Sequence, residues 1–521
     1  MAQAPRSPLL LLALVACGAS AAGGPPTAPP PPGVGAPQLL RSRGGCEGWG
    51  CQTGWYASPA VGELDGDPAS REIVWGAYDL VALRADGGEL WRARAEARVW
   101  ASPALVDLGG DGRPEIVVAR DRGVTAHAPG GGVVWTADPG EGELRSLAVA
   151  DLDGDGAEEV LTGRAAQIDA EQVMAWRGDT GAPVAGFPAR HAGSPGYGWG
   201  MFNQNLAAGD LDGDGDREVI APNDTHYLTA LDHRGELLPA SAAVFGAGRL
   251  WNQVGVHVSH AVDLRGSADC GREHRPNFEG AAPVIADLDG DGTREVVVVG
   301  NVQDCGADPY RSLYEIPFVL RGDRTRWAAS GFDWTEVPAP PSGAGPRSED
   351  YAVVENARAN PAVADLDGDG RREILFSSYD GRVHAYGLDR TQRGSWPFDV
   401  PGAGIRYASE PAVADLDGDG KAEVLVGTWG EKARGEAGQL LVLDHLGRLI
   451  FAVDLPPAAG GGWNGALAAP TVANVDADPD LEVLLGTAHS GVVAYRIPGT
   501  ARARVPWPTS RGGFTRSGEA P

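Results

Sequence analysis

The sequence predicts an all-β chain folded as an eight-bladed β-propeller, with a seven-bladed ring as second choice. Three observations carry that prediction. An acidic loop recurs eight times, short apolar runs rich in β-branched residues bracket the copies, and a second hairpin pattern follows each of them. Self-similarity at a period of several tens of residues marks a repeat fold, so it is settled before any other feature.

The loops begin at Glu63, Asp107, Asp151, Asp210, Asp287, Asp365, Asp415 and Asn474, at steps of 44, 44, 59, 77, 78, 50 and 59 residues. Numbered from its first residue, a loop carries oxygen side chains at positions 1, 3, 5 and 9. The complete sets are Asp151, Asp153, Asp155 and Glu159; Asp210, Asp212, Asp214 and Glu218; Asp287, Asp289, Asp291 and Glu295; Asp365, Asp367, Asp369 and Glu373; and Asp415, Asp417, Asp419 and Glu423. The first copy has Glu63, Asp65 and Asp67 and reaches Glu72 one residue late. The second keeps Asp107, Asp111 and Glu115 but has Gly109 at position 3. The last has Asn474, Asp476, Asp478 and Glu482, with Pro479 in place of the position-6 Gly, which predicts a weaker or empty site.

Oxygens at positions 1, 3 and 5 of a tight loop, followed by a Gly that permits the reversal, converge on one point and suit a hard cation, calcium above all. The spacing starts like an EF-hand loop, yet the closing Glu comes at 9 and the flanks are strands. A single such loop reads equally as a polar turn. Eight of them place 30 carboxylates at ligand positions, where like charges repel unless something neutralises them. A divalent ion in each loop would take the formal charge from −27 to about −11. Much of the acidity therefore belongs to the loops rather than to a preference for basic partners.

The flanking runs are strand-like: Pro283-Val-Ile-Ala before a loop and Glu295-Val-Val-Val-Val after it, Pro361-Ala-Val-Ala and then Glu373-Ile-Leu-Phe. The second element is a tight hairpin, as in Val81-Ala-Leu-Arg-Ala-Asp-Gly-Gly-Glu-Leu-Trp91 and Val124-Thr-Ala-His-Ala-Pro-Gly-Gly-Gly-Val-Val-Trp135. Each repeat thus supplies strands A and B around the acidic loop and then the C–D hairpin. Eight such units in a ring make a propeller, with most of the 15 Trp packing blade on blade.

The unit Pro411-Ala-Val-Ala-Asp-Leu-Asp-Gly-Asp-Gly-Lys-Ala-Glu-Val-Leu-Val-Gly-Thr428 resembles the FG-GAP/VCBS repeat, the calcium-bearing propeller repeat also found in the integrin α head. The resemblance runs from about residue 55 to 510 and implies the fold and the metal. It leaves the role open, because the family includes adhesins, lectin-like proteins and enzymes. Integrin-like propellers have seven blades and usually Asp at loop position 9; this chain has eight units and Glu.

Residues 1–17 read as a lipoprotein signal, with Arg6, an apolar run from Leu9 to Val15 and a lipobox Leu14-Val-Ala-Cys17 in which Cys17 is the acylated residue; cleavage after residue 21 is the competing reading. Residues 18–45 then form a Pro/Gly-rich tether and 46–521 the propeller. The expected location is the bacterial outer membrane or cell surface, with a periplasmic or secreted protein as the alternative. Membrane contact is through the lipid only, since no second apolar stretch has spanning length. Export permits the disulfides Cys46–Cys51 and Cys270–Cys305.

Chain direction alternates through A, B, C and D, so acidic loops and C–D turns share one face while B–C and D–A connections share the other. Extra length falls on the second face, at about 183–205, 240–281, 328–360 and 300–312. Long loops on a rigid scaffold are where binding sites are built. Trp199, Asn203, Trp251, His257, His260 and His274 are the candidate ligand-face residues, for a protein or carbohydrate ligand. No GxSxG, HExxH, P-loop or CxxC motif occurs, no basic stripe suits nucleic acid, and the expectation is a non-catalytic monomer. The alternative is a polysaccharide lyase of the rhamnogalacturonan type, on an eight-bladed calcium propeller, with His257, His260, Arg265, Arg272 and His274 as candidates.

Overall fold

The computed structural model describes residues 24–44, 57–94, 98–138, 140, 142–165, 172–189, 201, 205–264, 274–278, 280–303, 314–329, 331–347, 360–402, 404, 406–458 and 462–520. It is an eight-bladed β-propeller. The inner A strands are Ala60–Gly62, Ala104–Val106, Ala148–Ala150, Ala207–Gly209, Val284–Ala286, Ala362–Ala364, Ala412–Asp415 and Thr471–Ala473, for blades 1 to 8. Each pairs antiparallel with its B strand across the acidic loop, for instance Ala104↔Val117 and Val106↔Glu115. Seven of the eight B strands begin on the position-9 Glu, as Glu159–Ala165 and Glu423–Trp429 do.

Small residues and Val fill the A strands because eight of them crowd around one axis. The B and C strands carry the larger apolar residues, buried against the next blade: Ile374, Phe376, Val424 and Leu441 are all at 0% exposure in one such cluster. A Trp from one blade also clamps the C–D turn of the next. Trp91 Nε1 donates to Pro129 O, Trp135 to Gly178 O and Trp396 to His445 O. The indoles press on glycines at positive φ; a Cβ built on Gly131, Gly181 or Gly447 would lie 2.7 Å from the ring of Trp91, Trp135 or Trp396. Trp135→Ala is expected to cost about 3–5 kcal/mol of stability, read from urea unfolding.

Ring closure differs from expectation. In sequence, Val505-Pro-Trp-Pro-Thr-Ser-Arg-Gly-Gly-Phe resembles a closing fourth strand for blade 8, and residues 18–45 read as a tether. Instead Gln38–Gly44 is the outer strand of blade 8, antiparallel to Gly491–Ile497 with Leu39 opposite Tyr495. Upstream of it, Leu449 N donates to Pro26 O and Gly35 N to Pro498 O. The described part of the tether, 24–44, is thus built into blades 7 and 8, because blade 8 has only three strands of its own to bury.

The C-terminal segment goes to the axis. Arg504–Trp507 pairs antiparallel with strand A of blade 7, Trp507 facing Val413. The chain then accepts hydrogen bonds from one inner strand after another: Val472 N to Pro508 O, Leu105 N to Phe514 O, Val149 N to Thr515 O, Ala208 N to Ser517 O and Ile285 N to Gly518 O. Residues 507–520 therefore fill the central channel. The inner edges of the A strands, which would otherwise show unpaired N–H groups, find their acceptors there.

Candidate metal centres and ligand face

All eight loops share one internal design. The position-9 Glu turns one oxygen back to the N–H of position 2: Leu64 to Glu72, Leu108 to Glu115, Leu152 to Glu159, Leu211 to Glu218, Leu288 to Glu295, Leu366 to Glu373, Leu416 to Glu423 and Val475 to Glu482, all Oε2 at 2.8–3.2 Å. In the loops starting at Asp107, Asp151, Asp287, Asp365 and Asp415 the position-1 Asp also receives the position-6 Gly N–H, as Asp151 Oδ2 does from Gly156 at 3.0 Å and Asp365 Oδ2 from Gly370 at 2.9 Å. Position 5 closes a turn on position 7, for example Ala157 N to Asp155 Oδ1 at 2.8 Å. In those five loops the position-1 Asp takes hydrogen bonds on both oxygens, as Asp365 does from Gly368 and Asp369 on Oδ1 and Gly370 on Oδ2, and offers only the remaining lone pairs.

Those oxygens converge. In the groups Glu63, Asp65 and Glu72; Asp151, Asp153 and Glu159; Asp210, Asp212 and Glu218; Asp287, Asp289 and Asp291; and Asp365, Asp367 and Glu373, one oxygen from each residue lies within 4.8 Å of the others. Glu72 and Glu482 are 0% and 1% exposed, and their Oε1 atoms have no hydrogen-bond partner among the described residues. Burial and the loop aspartates drive the position-9 carboxyls upward, to about 7 for Glu159, Glu373 and Glu482 and about 8 for Glu218, Glu295 and Glu423. Buried, orphaned carboxylate oxygen in an all-oxygen donor set fits a hard cation.

The Asn474 loop is different in the way its sequence suggests. Asn474 Nδ2 donates to Asp478 O, and the Arg496 guanidinium lies 3.0 Å from Asp478 Oδ2 and 2.7 Å from Asp480 Oδ2. A side-chain cation already balances that loop. Arg504 likewise sits 2.7 Å from Asp415 Oδ2, a contact the sequence did not signal because Arg504 comes from the axial segment.

Neighbouring loops are joined into a belt. The N–H just before the closing Glu donates to the position-2 carbonyl of the preceding blade: Arg71 to Val475, Arg217 to Leu152, Arg372 to Leu288 and Ala422 to Leu366. Guanidiniums add Arg113 to Leu64 O and Arg294 to Asp210 O. Glu519, near the end of the axial segment, lies 3.4 Å from both Arg217 and Arg294.

The ligand-face candidates divide. Trp199 and Asn203 lie outside the described residues, as do Cys17, Cys46, Cys51, Cys270, Cys305, Arg265 and Arg272. Trp251 is at 0% exposure and donates to Gly322 O, the C–D turn of blade 5. It is the blade clamp that blades 1, 2 and 6 take from Trp91, Trp135 and Trp396, displaced into an insert, so no ligand meets it in this conformation. His257 is also at 0% exposure, His260 Nδ1 lies 3.4 Å from the buried Asp263, and His274 is half-buried with its carbonyl bonded by Val258 N. His257 is therefore a packing residue, while His260 pairs with Asp263 and keeps 28% of its side chain exposed. Trp334 repeats the clamp on Leu388 O.

Insert 240–281 was expected wholly on the face away from the acidic loops. Ser241 N donates to Asp323 O in a C–D turn, whereas Val256 N reaches His226 O and Phe278 N reaches Thr225 O in a B–C connection. The insert runs over the rim from one face to the other, because it interrupts the D strand, which starts on the acidic-loop side.

B–C and D–A connections carry an aromatic group that the sequence reading missed. Trp429 and Trp463 meet edge to face at 4.4 Å between ring centres, His489 lies 5.8 Å from Trp463, and Lys432 Nζ is 5.4 Å from the same ring. Both indoles are half-buried. Between blades 1 and 2, Arg98 and Arg145 stack on Trp100 at 4.8 and 4.5 Å. The signal for the first group was Trp429 closing a B strand and Trp463 following a Gly-rich run, readable only once the topology puts them together.

Comparison with known proteins places residues 365–426 as an FG-GAP-like repeat, the span from the blade 6 loop through strand B of blade 7. A search of curated proteins found no significant sequence match. Among solved structures, the chain is similar to the exotype rhamnogalacturonan lyase YesX, with TM-score 0.51 and 17% identity over 93% of this chain and 80% of that one. It is also similar to the V. cholerae biofilm matrix protein Bap1 (TM-score 0.47, 15% identity, 93% and 96% covered) and a Bacillus licheniformis rhamnogalacturonan lyase (TM-score 0.46, 16% identity, 90% and 76% covered). At 17% identity the likeness to YesX shows the fold alone.

Proposed function

We propose that this chain is an exported, calcium-stabilised propeller that binds a protein or glycan ligand, without catalysis, through the face formed by its B–C and D–A connections. The separation of the two faces carries this reading. On one face the acidic loops are tied into a belt, where a bound cation neutralises carboxylates and stiffens hairpins. On the other, half-buried Trp429 and Trp463 with His489 and Lys432 offer ring faces and a cation, the groups that stack on sugars or anchor a peptide. The axis is filled by the chain's own residues 507–520, which favours a surface site over an axial one.

Residues at loop positions 1, 3, 5 and 9 would hold the ions, most firmly in the loops starting at Asp151, Asp210, Asp287, Asp365 and Asp415. Anchoring would come from acylation of Cys17, and Cys17→Ser is expected to abolish incorporation of labelled fatty acid. A glycan array probed with the calcium-loaded chain tests the binding reading. The expected result is a defined set of bound glycans, lost in Trp463→Ala; binding unchanged by that substitution, or release of unsaturated uronate from an acidic polysaccharide, would overturn it.

A further inference from the structure

Beneath the insert at 240–264 lies a polar cluster that neither the acidic loops nor the blade cores use. Asp263, Arg324 and Arg326 are 1%, 0% and 3% exposed. Arg324 Nη2 donates to Val254 O at 2.9 Å and its Nη1 stands 3.6 Å from Asp263 Oδ2; Arg326 Nη2 donates to His257 O. Aromatic rings cap both guanidiniums, Phe245 at 5.9 Å from Arg324 and Phe318 at 4.9 Å from Arg326. The Nε of Arg324 and the Nε and Nη1 of Arg326 have no hydrogen-bond acceptor among the described residues, and the two Asp263 oxygens have no hydrogen-bond donor there, Arg324 Nη1 being an ion-pair contact only.

Among the described residues the charges do not balance. Two guanidiniums and one carboxylate are buried together, while the other described acids that act on them, Asp323 and Glu336, are exposed and screened by solvent. An uncompensated buried cation is destabilising, and unmet N–H donors add to it. A metal ion held by His257, His260 and Asp263 has the wrong sign for this site. The backbone is consistent with a side chain placed here on purpose: Arg324 sits at φ +71° in a turn position that Gly87, Gly131, Gly235 and Gly447 fill in blades 1, 2, 4 and 7. Arg390 takes that position in blade 6, where it bonds Glu336 O at the surface. A non-Gly residue held at positive φ is strained, and such strain persists where the side chain is needed.

We propose that this cluster binds one small inorganic anion of halide size, held by the Nε–H groups of Arg324 and Arg326 and the Nη1–H of Arg326, away from Asp263, and that the anion seats the insert on blade 5. The full chain, saturated with calcium, is to be melted in sodium chloride and in sodium gluconate of equal ionic strength, and crystals are to be soaked in bromide. Chloride should raise the transition above gluconate, and an anomalous bromide peak should lie in contact with both guanidiniums. Arg324→Gly restores the residue used by four other blades, so it should fold and show at least a tenfold weaker halide dependence. Equal transitions in the two salts, or only water between the arginines, would overturn the proposal.

Discussion

Chelation of divalent cations is expected to lower the thermal transition of this ring by on the order of 10–20 °C, with a larger loss at pH 8 than at pH 6. A ligand present at 100 times its dissociation constant stabilises by about 2.7 kcal/mol per site, so five complete loops contribute roughly 13 kcal/mol. The pH trend follows from the position-9 carboxyls. In the metal-free fold their burial, with the loop aspartates beside them, raises Glu159, Glu373 and Glu482 to about 7 and Glu218, Glu295 and Glu423 to about 8. An acid whose folded value is raised binds its proton more tightly in the fold than in the unfolded chain. Its stabilising contribution is therefore complete below the ordinary carboxylate value and is lost as pH climbs through 7 and 8. The chelated ring should melt progressively lower from pH 5 to 8.5, while the calcium-loaded ring keeps the carboxylates of its five complete loops ionised and should change much less above pH 6. Scanning calorimetry with and without chelator, at both ends of that range, reads the difference.

Arg516→Met is expected to cost about 3–5 kcal/mol, because it breaks a buried hub rather than a surface contact. The Arg516 guanidinium, 1% exposed, donates to Pro103 O, Thr509 Oγ1, Ser510 O, Ser58 O and Pro59 O, which ties the axial segment to blades 1 and 2. Arg511 does the same for blades 4 and 5 through Leu206 O and Pro283 O. Glu410 answers both charges from the entry to blade 7, accepting from Arg511 N and Ser510 Oγ. Deleting residues 508–520 should be worse than either substitution, since it strips acceptors from five inner strands at once and opens a void along the axis. An unchanged urea midpoint in Arg516→Met would mean that the segment lies in the channel without holding it.

The repeat was legible because its chemistry is local. A strand, an Asp-Gly loop and a second strand lie within about twenty residues, so eight blades, their A–B pairing and the candidate ligand oxygens could be named from the sequence. What escaped was set by contacts hundreds of residues apart. Leu39 opposite Tyr495, Arg516 on Ser58 O and Arg504 on Asp415 close the ring and fill its axis, and no local pattern marks them. The one available hint was compositional: Arg502, Arg504, Arg511 and Arg516 cluster near the end of a strongly acidic chain. Trp251 misled for a related reason. Thirteen residues after Leu238 it still serves as a blade clamp, but the intervening insert hides that register and makes it look like a loop aromatic.

The position-9 Glu shows how far residue types can be taken. Its presence suggested a fourth ligand; the structure gives it a second task, since Oε2 is spent on the position-2 N–H and only Oε1 remains for a cation. Glu423→Gln would keep the first task and weaken the second. It should therefore reduce ion affinity at that loop with little change in the fold of blade 7, measured by calcium titration of the variant against the parent chain.

The proposed role of the acidic face depends on its loops holding ions. Equilibrium dialysis of the purified, chelator-stripped chain against radioactive calcium counts them directly. At least five ions per chain are expected, with the Asn474 loop remaining empty because Arg496 already occupies its acidic edge; fewer than one ion per chain at millimolar calcium would contradict the account.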